Sequence, residues 1–109
     1  MTIQESLSKL SKLAPEWCCE DEFDGHSVTD TMGEYSAHDG YNGGLLGAAI
    51  RHAEAEGLNL HLRHRHGYDD YSVELYEGFD IFLESQIADS PAAAMLAALV
   101  AYYESKEDV

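Results

Sequence analysis

The stretch "LNLHLRHRHGYDDYSVELYE", residues 58 to 77, decides the fold, because both of its halves alternate between apolar and polar residues. Leucines recur at every second position from Leu58 to Leu62, and this period of two is typical of a strand with one buried face. After the turn-forming "GYDD", Val73 and Leu75 repeat the alternation. The stretch therefore predicts a β-hairpin whose leucine face contacts the hydrophobic core.

A third strand is predicted after the hairpin, because "FDIFLES", residues 79 to 85, alternates in the same way. The three strands make an antiparallel meander. Tyr76, Asp80, Phe82 and Glu84 are expected on its outer face, where aromatic rings among charges are typical of recognition surfaces. The alternative is that the first helix or an acidic segment covers this face, since sheets pack in layers with the available helices.

Pairing across the hairpin offers the basic residues of its first strand a structural role. If Leu62 pairs with Leu75, then Arg63 faces Glu74 on the outer face. Such an opposite-charge pair contributes about 0.2 to 1 kcal/mol to stability. The basic strand therefore does not by itself indicate a binding site.

Three helices are predicted around the meander. The first begins at a capping box of Thr2 and Glu5 and ends before Pro15. The second, "YNGGLLGAAIRHAEAEG", has Asn42 as its candidate N-cap and Gly57 as its end. Its expected buried residues are Leu46, Ala49, Ile50 and Ala53. The third, "DSPAAAMLAALVAYYES", is rich in alanines that permit close approach to the sheet or to the same helix of a second copy.

The chain is expected to form one α+β domain, residues 1 to 109, with the element order α-α-β-β-β-α. Its 109 residues and 45% hydrophobic content fit a single core of modest size. The second and third helices are expected to cover the leucine face. At about residues 16 to 41 the apolar residues follow no steady period, which predicts a long acidic irregular segment.

Acidic residues dominate the charge of the chain. There are 21 Asp and Glu against six Lys and Arg, a formal net charge of -15 at pH 7. Such a charge repels nucleic acids and anionic membranes and attracts basic surfaces. Solubility alone is the other interpretation. The expected partner is a basic nucleic-acid-binding protein or ribonucleoprotein complex, without direct contact to nucleic acid or membrane.

The acids are concentrated in two blocks. Residues 16 to 39 contain eight and residues 69 to 89 contain seven, and neither block has a Lys or Arg. We expect the partner-binding residues to be the carboxylates of these blocks and one aromatic residue: Glu20, Asp21, Glu22, Asp24, Asp30, Glu34, Asp39, Asp69, Asp70, Glu74, Tyr76, Asp80 and Glu84.

No motif of known chemistry accompanies the acids, so neither an enzyme nor a cofactor is expected. "GYNGGLLG" lacks the Gly-Lys-Ser/Thr ending of a phosphate loop, and its glycines are expected to serve turns and helix packing. His61, His64 and His66 could share zinc with a carboxylate, but without H-E-x-x-H or C-x-x-C we prefer polar histidines at a strand end. Cys18 and Cys19 are adjacent and are expected to be reduced.

The glycine pair before the second helix, the hairpin and the ending "ADSPAAAMLAALVAYY" resemble the small phage-encoded proteins grouped as ABA-sandwich domains. The resemblance covers about residues 40 to 103 and implies a phage or prophage origin and no activity. In size and acidity the chain is also similar to anti-CRISPR proteins, which often block nucleic-acid-binding sites with carboxylates. This similarity implies a DNA mimic that inhibits a bacterial defence complex.

Two functions follow from these observations. The expected function is a non-enzymatic, phage-encoded inhibitor whose acidic surface blocks a basic nucleic-acid-binding site. The alternative is a phage structural or accessory protein that forms a homodimer through its alanine-rich last helix. The chain has no apolar run of the roughly 20 residues that span a bilayer and no secretory-signal pattern at its N-terminus, so we expect the cytoplasm of a bacterial host.

Overall fold

The chain combines helices with two antiparallel sheets, which confirms the α+β class. The computed structural model describes residues 2–21, 25–40, 43–64, 67, 70–77 and 81–107. In chain order the elements are helix α1 (Ile3–Leu13), strands β1 (Cys18–Asp21), β2 (Gly25–Asp30) and β3 (Gly33–Ser36), a 3₁₀ turn (Ala37–Gly40), helix α2 (Gly44–Ala55), strands β4 (Leu58–His64), β5 (Tyr71–Glu77) and β6 (Ile81–Ala88), and helix α3 (Pro91–Glu107).

The meander predicted from residue 58 onward is an antiparallel sheet with the order β4-β5-β6. Leu60 pairs with Leu75, so the expected pairing of Leu62 with Leu75 is wrong by two residues. A shift of two keeps every side chain on its face, because side chains alternate along a strand with a period of two. Helix α3 contacts β5 and β6 while α2 contacts β4, which confirms that these helices cover the leucine face.

Strand β6 departs from simple alternation at one position. Its register steps from Leu75–Glu84 to Tyr76–Phe82, so Leu83 has no partner across the pair. Such a bulge shifts the alternation of the residues on its two sides by one position. In this register Glu84 is paired with Leu75 and Phe82 with Tyr76, and the side chains of Glu84 and Phe82 lie outside the described part of the structure.

The long irregular segment expected at residues 16 to 41 is instead a second sheet, with the order β1-β2-β3. Cys18, Val28 and Tyr35 are aligned across its strands, and α1 and α2 contact this sheet. These strands are four to six residues long and place only two or three residues on each face, so their alternation is too short to recognise in the sequence. The predicted element order is thus corrected to α-β-β-β-α-β-β-β-α.

The ends of the first two helices follow local signals. The Glu5 amide donates to Thr2 Oγ1 at 3.1 Å, as expected of the N-cap, and α1 ends at Leu13, two residues before the proline. Helix α2 is preceded by Gly43, whose left-handed backbone (φ 83°) favours glycine. The predicted cap Asn42 lies outside the described residues.

Helix α2 buries a face that is rotated relative to the prediction. Leu45 and Ala48 are fully buried, whereas the predicted Leu46 and Ile50 are half-buried. The other two predicted core residues are buried: Ala49 and Ala53. The rotation arises because α2 contacts α3 and strands of both sheets, so its burial is set by several neighbours rather than by one stripe.

Helix α3 is enclosed by the rest of the chain. Every residue from Ala92 to Val100 is buried, and the helix contacts α1, α2, β5 and β6. Nine consecutive residues cover more than two turns, so burial extends around the whole helix. The alanine-rich face from Ala92 to Val100 is thus used inside the chain, which disfavours the alternative of self-association through it.

Truncation of a central α3 residue should cost much more stability than the same change at the sheet rim. Leu99 is fully buried, and Leu99→Ala is expected to lower the free energy of unfolding by about 2 to 5 kcal/mol. Leu62 is 39% exposed, and Leu62→Ala is expected to cost less than about 1 kcal/mol. Urea unfolding measures both losses, and equal values would contradict the central position of α3.

Candidate interaction surface

Asp30, one of the predicted partner-binding acids, links the first sheet to α2. Arg51 Nε donates to Asp30 Oδ2 at 2.9 Å, and the Met32 amide donates to Oδ1 at 2.8 Å. Burial disfavours the charged carboxylate, but these hydrogen bonds outweigh burial and hold the pKa of Asp30 below its usual value. The Arg51 guanidinium also lies 5.7 Å from the centroid of the Tyr35 ring. The Asp30 carboxylate is thus occupied within the chain.

The other described acids of the first block are divided between local contacts and open surface. Ser27 Oγ donates to Glu34 Oε1 at 3.0 Å, and the Ser36 amide donates to Asp39 Oδ2 at 2.8 Å. These contacts stabilise β2, β3 and the turn that follows, although the Glu34 side chain remains exposed. Glu20 is exposed on β1.

The remaining predicted residues are only partly described. Asp21 is the last residue of β1, and Asp70 is half-buried immediately before β5. Four predicted residues lie outside the described part of the chain: Glu22, Asp24, Asp69 and Asp80. The two sequence blocks therefore do not form one described acidic face.

On the outer face of the second sheet, the predicted residues form a polar cluster around Glu74. Tyr76 Oη donates to Glu74 Oε2 at 2.7 Å, and this hydrogen bond raises the pKa of Tyr76. Arg63 Nη1 is 3.9 Å from Glu74 Oε1, a diagonal contact because the register places Arg63 opposite Ser72. His61 Nδ1 is 4.0 Å from Glu74 Oε2. The charge of this cluster is mixed rather than acidic.

This outer face is open to solvent at several positions. The side chains of His61 and Arg63 are 63% and 62% exposed. Ile87, which the register places opposite Ser72, is 64% exposed. The alternative of coverage by the first helix or the acidic segment concerned Tyr76, which is half-buried, and Phe82, whose side chain lies outside the described part of the structure.

A cluster that the sequence did not reveal lies where the ends of α1 and α2 meet α3. The Trp17 ring stacks on His52 with centroids 4.1 Å apart and planes 12° apart. His52 Nε2 is 2.6 Å from Tyr103 Oη. Trp17 is held in the turn after α1, where its amide donates to the Ala14 carbonyl at 3.0 Å. These residues are far apart in the chain, so no motif spacing connects them. The single tryptophan was the only feature of the sequence that could have indicated this cluster.

Burial controls ionisation in this cluster. It lowers the pKa of His52, although the Glu56 carboxylate opposes this shift. It also raises the pKa of Tyr103, which the nearby carboxylates of Glu56 and Glu16 raise further. His52 and Tyr103 are therefore both neutral at pH 7.

The cluster borders a cavity of about 260 Å³, named here the acidic cavity. Its lining includes aromatic rings and two exposed carboxylates: Pro15, Glu16, Trp17, His52, Glu56 and Tyr103. No Lys or Arg is among the described residues that line it. Helices α1 and α2 both end here, at Leu13 and Ala55, and the carbonyl end of a helix carries partial negative charge. The cavity is therefore electronegative.

Lys106 and Glu77 lie at the same end of the molecule. The Lys106 ammonium is 4.7 Å from the centroid of the Tyr102 ring. Its pKa is raised by Tyr102 and by the carboxylates of Glu77 and Glu56. We call the region of Glu16, Glu56 and Glu77 the acidic end. The Lys106 ammonium lies at this end, against the Tyr102 ring.

A larger opening of about 770 Å³ lies beside the N-terminal ends of α1 and α3. Thr2 and Ser90 line it, and both hydroxyls serve as helix caps. Thr2 accepts from the Glu5 amide and Ser90 accepts from the Ala93 amide at 3.2 Å. These hydroxyl groups are therefore used by the helices themselves.

The candidate metal and thiol residues have structural contacts. His64 packs against the Tyr71 ring at a centroid distance of 4.7 Å, and His66 lies outside the described residues. Among the side chains that the structure describes, no group of three or more His, Cys, Asp or Glu is arranged to hold a metal ion. Cys18 Sγ donates to the Leu7 carbonyl at 3.3 Å, and burial raises its pKa to about 12.

Comparison of the chain with family models, curated proteins and solved structures finds no match. Within the described ranges, no helix combines the length and the apolar character needed to cross a membrane. The chemistry of the surface and of the acidic cavity is therefore the basis for proposing a function.

Acidification is expected to remove the contribution of His52 to stability. Burial lowers the folded-state pKa of His52 below 6.5, its value in the unfolded chain, so the unfolded state binds the proton first. The contribution of neutral His52 to stability is fully present above pH 6.5. It is lost as the pH falls below 6.5 and through the lower pKa of the folded state. His52→Gln keeps a polar group near Tyr103 but does not titrate. The difference in unfolding free energy between the native protein and this variant should therefore narrow from pH 7.5 to pH 5.5, and a constant difference would contradict the assignment.

The two kinds of acid in the first sheet should respond differently to neutralisation. Asp30→Asn removes the charge that binds Arg51, so the melting temperature is expected to fall. Glu20→Gln removes an exposed carboxylate from β1, and no change is expected. Thermal unfolding at pH 7 gives the melting temperatures of the two variants and of the native protein. An Asp30→Asn variant with an unchanged melting temperature would disprove the structural role of Asp30.

Proposed function

We propose that the protein is a non-enzymatic inhibitor whose acidic surface occupies a basic nucleic-acid-binding site, in a bacterial defence complex as the similarity to anti-CRISPR proteins implies. The observation that supports this is an excess of exposed acids over exposed bases among the described residues. The exposed acids are Glu5, Glu16, Glu20, Glu34, Glu54, Glu56, Glu77, Asp89 and Glu104. The exposed bases are Lys9, Lys12, Arg63 and Lys106.

The density of charge supports a basic partner that normally binds nucleic acid. Duplex DNA carries one charge per roughly 1.7 Å of axis, so fifteen charges correspond to about 25 Å of duplex. The chain carries a formal net charge of -15 and measures 39 × 38 × 24 Å along its principal axes. Its charge per unit length is thus comparable with that of DNA.

The contact surface is assigned to the acidic end rather than to the two sequence blocks. Asp30 is bound to Arg51, and Glu74 lies beside Arg63, so the chain's own cations partly neutralise these acids. The acidic end combines three exposed carboxylates with two helix carbonyl ends. Three carboxylates against the one ammonium group of Lys106 leave a net charge of -2 at this end, whereas Glu74 on the outer face of the second sheet lies beside both His61 and Arg63.

The ionisable clusters favour binding over catalysis. The Asp30 carboxylate is tied to Arg51, and the Glu74 carboxylate is tied to Tyr76. His52 is stacked on Trp17 and bonded to Tyr103. These groups are engaged within the chain, whereas carboxylates such as those of Glu16 and Glu20 are exposed at the surface.

Capture from a bacterial lysate tests the proposal. The immobilised protein is expected to retain a basic nucleic-acid-binding protein, and duplex DNA should displace it. Retention should fall steeply between about 50 and 200 mM salt, because such contacts are electrostatic. The test variant carries Glu16→Gln, Glu56→Gln and Glu77→Gln and should retain about tenfold less partner.

A charge-matched control separates the acidic end from net charge. The control variant carries Glu20→Gln, Asp89→Asn and Glu104→Gln, which remove the same number of exposed charges elsewhere. Retention by the control should fall much less than retention by the test variant. Equal losses would contradict the assignment to the acidic end. Retention that is insensitive to salt and to DNA would contradict nucleic-acid mimicry itself.

A further inference from the structure

We propose that the acidic cavity binds an alkylammonium or guanidinium group. The proposal that this cation belongs to a lysine or arginine side chain of the basic partner rests on the proposed function. The affinity of the cavity for such a cation does not rest on it. The cavity is about 260 Å³, which admits one flexible side chain or a small amine and is below the volume of about 300 to 1,000 Å³ typical of drug-sized ligands.

The aromatic part of the lining suits an organic cation. Trp17 and Tyr103 border the cavity, and aromatic faces attract ammonium and guanidinium groups through the ring quadrupole. A cation–π contact of this kind is present nearby, since the Lys106 ammonium lies 4.7 Å from the centroid of the Tyr102 ring. His52, the third ring, is stacked on Trp17 and is neutral at pH 7 because burial lowers its pKa. It therefore adds no repulsion.

The placement of the carboxylates is unfavourable for the free chain and favourable for a bound cation. Glu56 is the C-cap of α2, and Glu16 follows the C-cap of α1 by two residues. Negative side chains at helix carbonyl ends are destabilising, and cations there are stabilising. The Glu56 carboxylate helps to raise the pKa of Lys106, but Lys106 does not line the cavity. A cation in the cavity would thus relieve a local electrostatic conflict.

A separate observation also indicates a ligand. Trp17 is 5% exposed, and its buried indole Nε1–H has no acceptor among the described residues. A buried donor without an acceptor is unfavourable. Trp17 lines the acidic cavity, so a main-chain carbonyl of a bound lysine or arginine residue is the candidate acceptor for this donor.

The single tryptophan makes the cavity directly observable. Trp17 is the one tryptophan of the chain, so its fluorescence reports on this site alone. The free protein is titrated with n-butylammonium, n-butylguanidinium and the neutral analogue 1-butanol, at constant ionic strength set with sodium chloride. A saturable change in emission is expected with the two cations, and a much weaker one with 1-butanol. An equal response to 1-butanol, or no saturable response to either cation, would overturn the proposal.

Matched variants test the role of the carboxylates. Glu16→Gln with Glu56→Gln should weaken n-butylammonium binding by about tenfold or more, because two nearby charges are removed. Glu20→Gln with Asp89→Asn removes the same charge from residues that do not line the cavity and should change n-butylammonium binding by less than about twofold. All four side chains are exposed, and circular dichroism checks that both variants fold. Equal weakening in the two variants would overturn the site.

A peptide-like probe distinguishes the two sources of the cation. Nα-acetyl-lysinamide carries the same ammonium with main-chain carbonyls, and it should bind at least as tightly as n-butylammonium and shift the Trp17 indole N–H resonance. Binding of n-butylammonium alone would overturn the assignment to a partner side chain and leave a site for a free amine. This titration uses no partner, so a positive result with failed lysate capture would refute the proposed inhibitor while supporting the cavity.

Discussion

Burial of α3 around its whole circumference is the constraint on which the rest of the structure depends. Each neighbouring layer must present apolar surface to residues 92 to 100, and α1, α2, β5 and β6 all contact this helix. The alanines in this stretch allow close approach, because small side chains bring backbones nearer to one another. Since α3 and α2 cover the leucine face, the opposite face of the second sheet is left to the polar cluster around Glu74.

The large excess of acids is compatible with this core because the few cations occupy positions that join elements. Arg51 connects α2 to the first sheet through Asp30, and Lys9 on α1 lies 3.8 Å from Glu104 on α3. The chain has six Lys and Arg for 21 Asp and Glu, and nine of the acids that the structure describes are exposed. The resulting repulsion opposes compactness but strengthens attraction to basic surfaces. Stability and the proposed recognition thus depend on different acids of the chain.

The acidic cavity is a consequence of where the helices end. Helix α1 ends at Leu13 and α2 ends at Ala55, so two carbonyl ends are brought to the side of α3 that carries Tyr103. The turn after α1 then places Trp17 against His52. Sequence choices that oppose local stability are most often found at functional sites, and acids at helix carbonyl ends are such a choice. The carbonyl ends of α1 and α2 therefore belong both to the fold and to the proposed recognition chemistry.

The sequence by itself determined the parts of the fold that depend on local signals. The alternation from Leu58 to Leu75 predicted the second sheet and its buried face, and the capping residues predicted the start of α1. These predictions succeed because strand period and helix caps act over a few neighbouring residues. The register was nevertheless wrong by two residues, since alternation is unchanged by such a shift.

Only the tertiary structure decided the first sheet, the buried face of α2 and the candidate site. The strands of the first sheet are too short for a readable period, and their stability depends on packing against α1 and α2. The predicted acid Asp30 proved to be bound to Arg51, a contact across 21 positions of the chain. The cluster of Trp17, His52 and Tyr103 likewise joins residues with no common spacing. Such contacts depend on how complete elements pack together, and a local sequence pattern does not encode this.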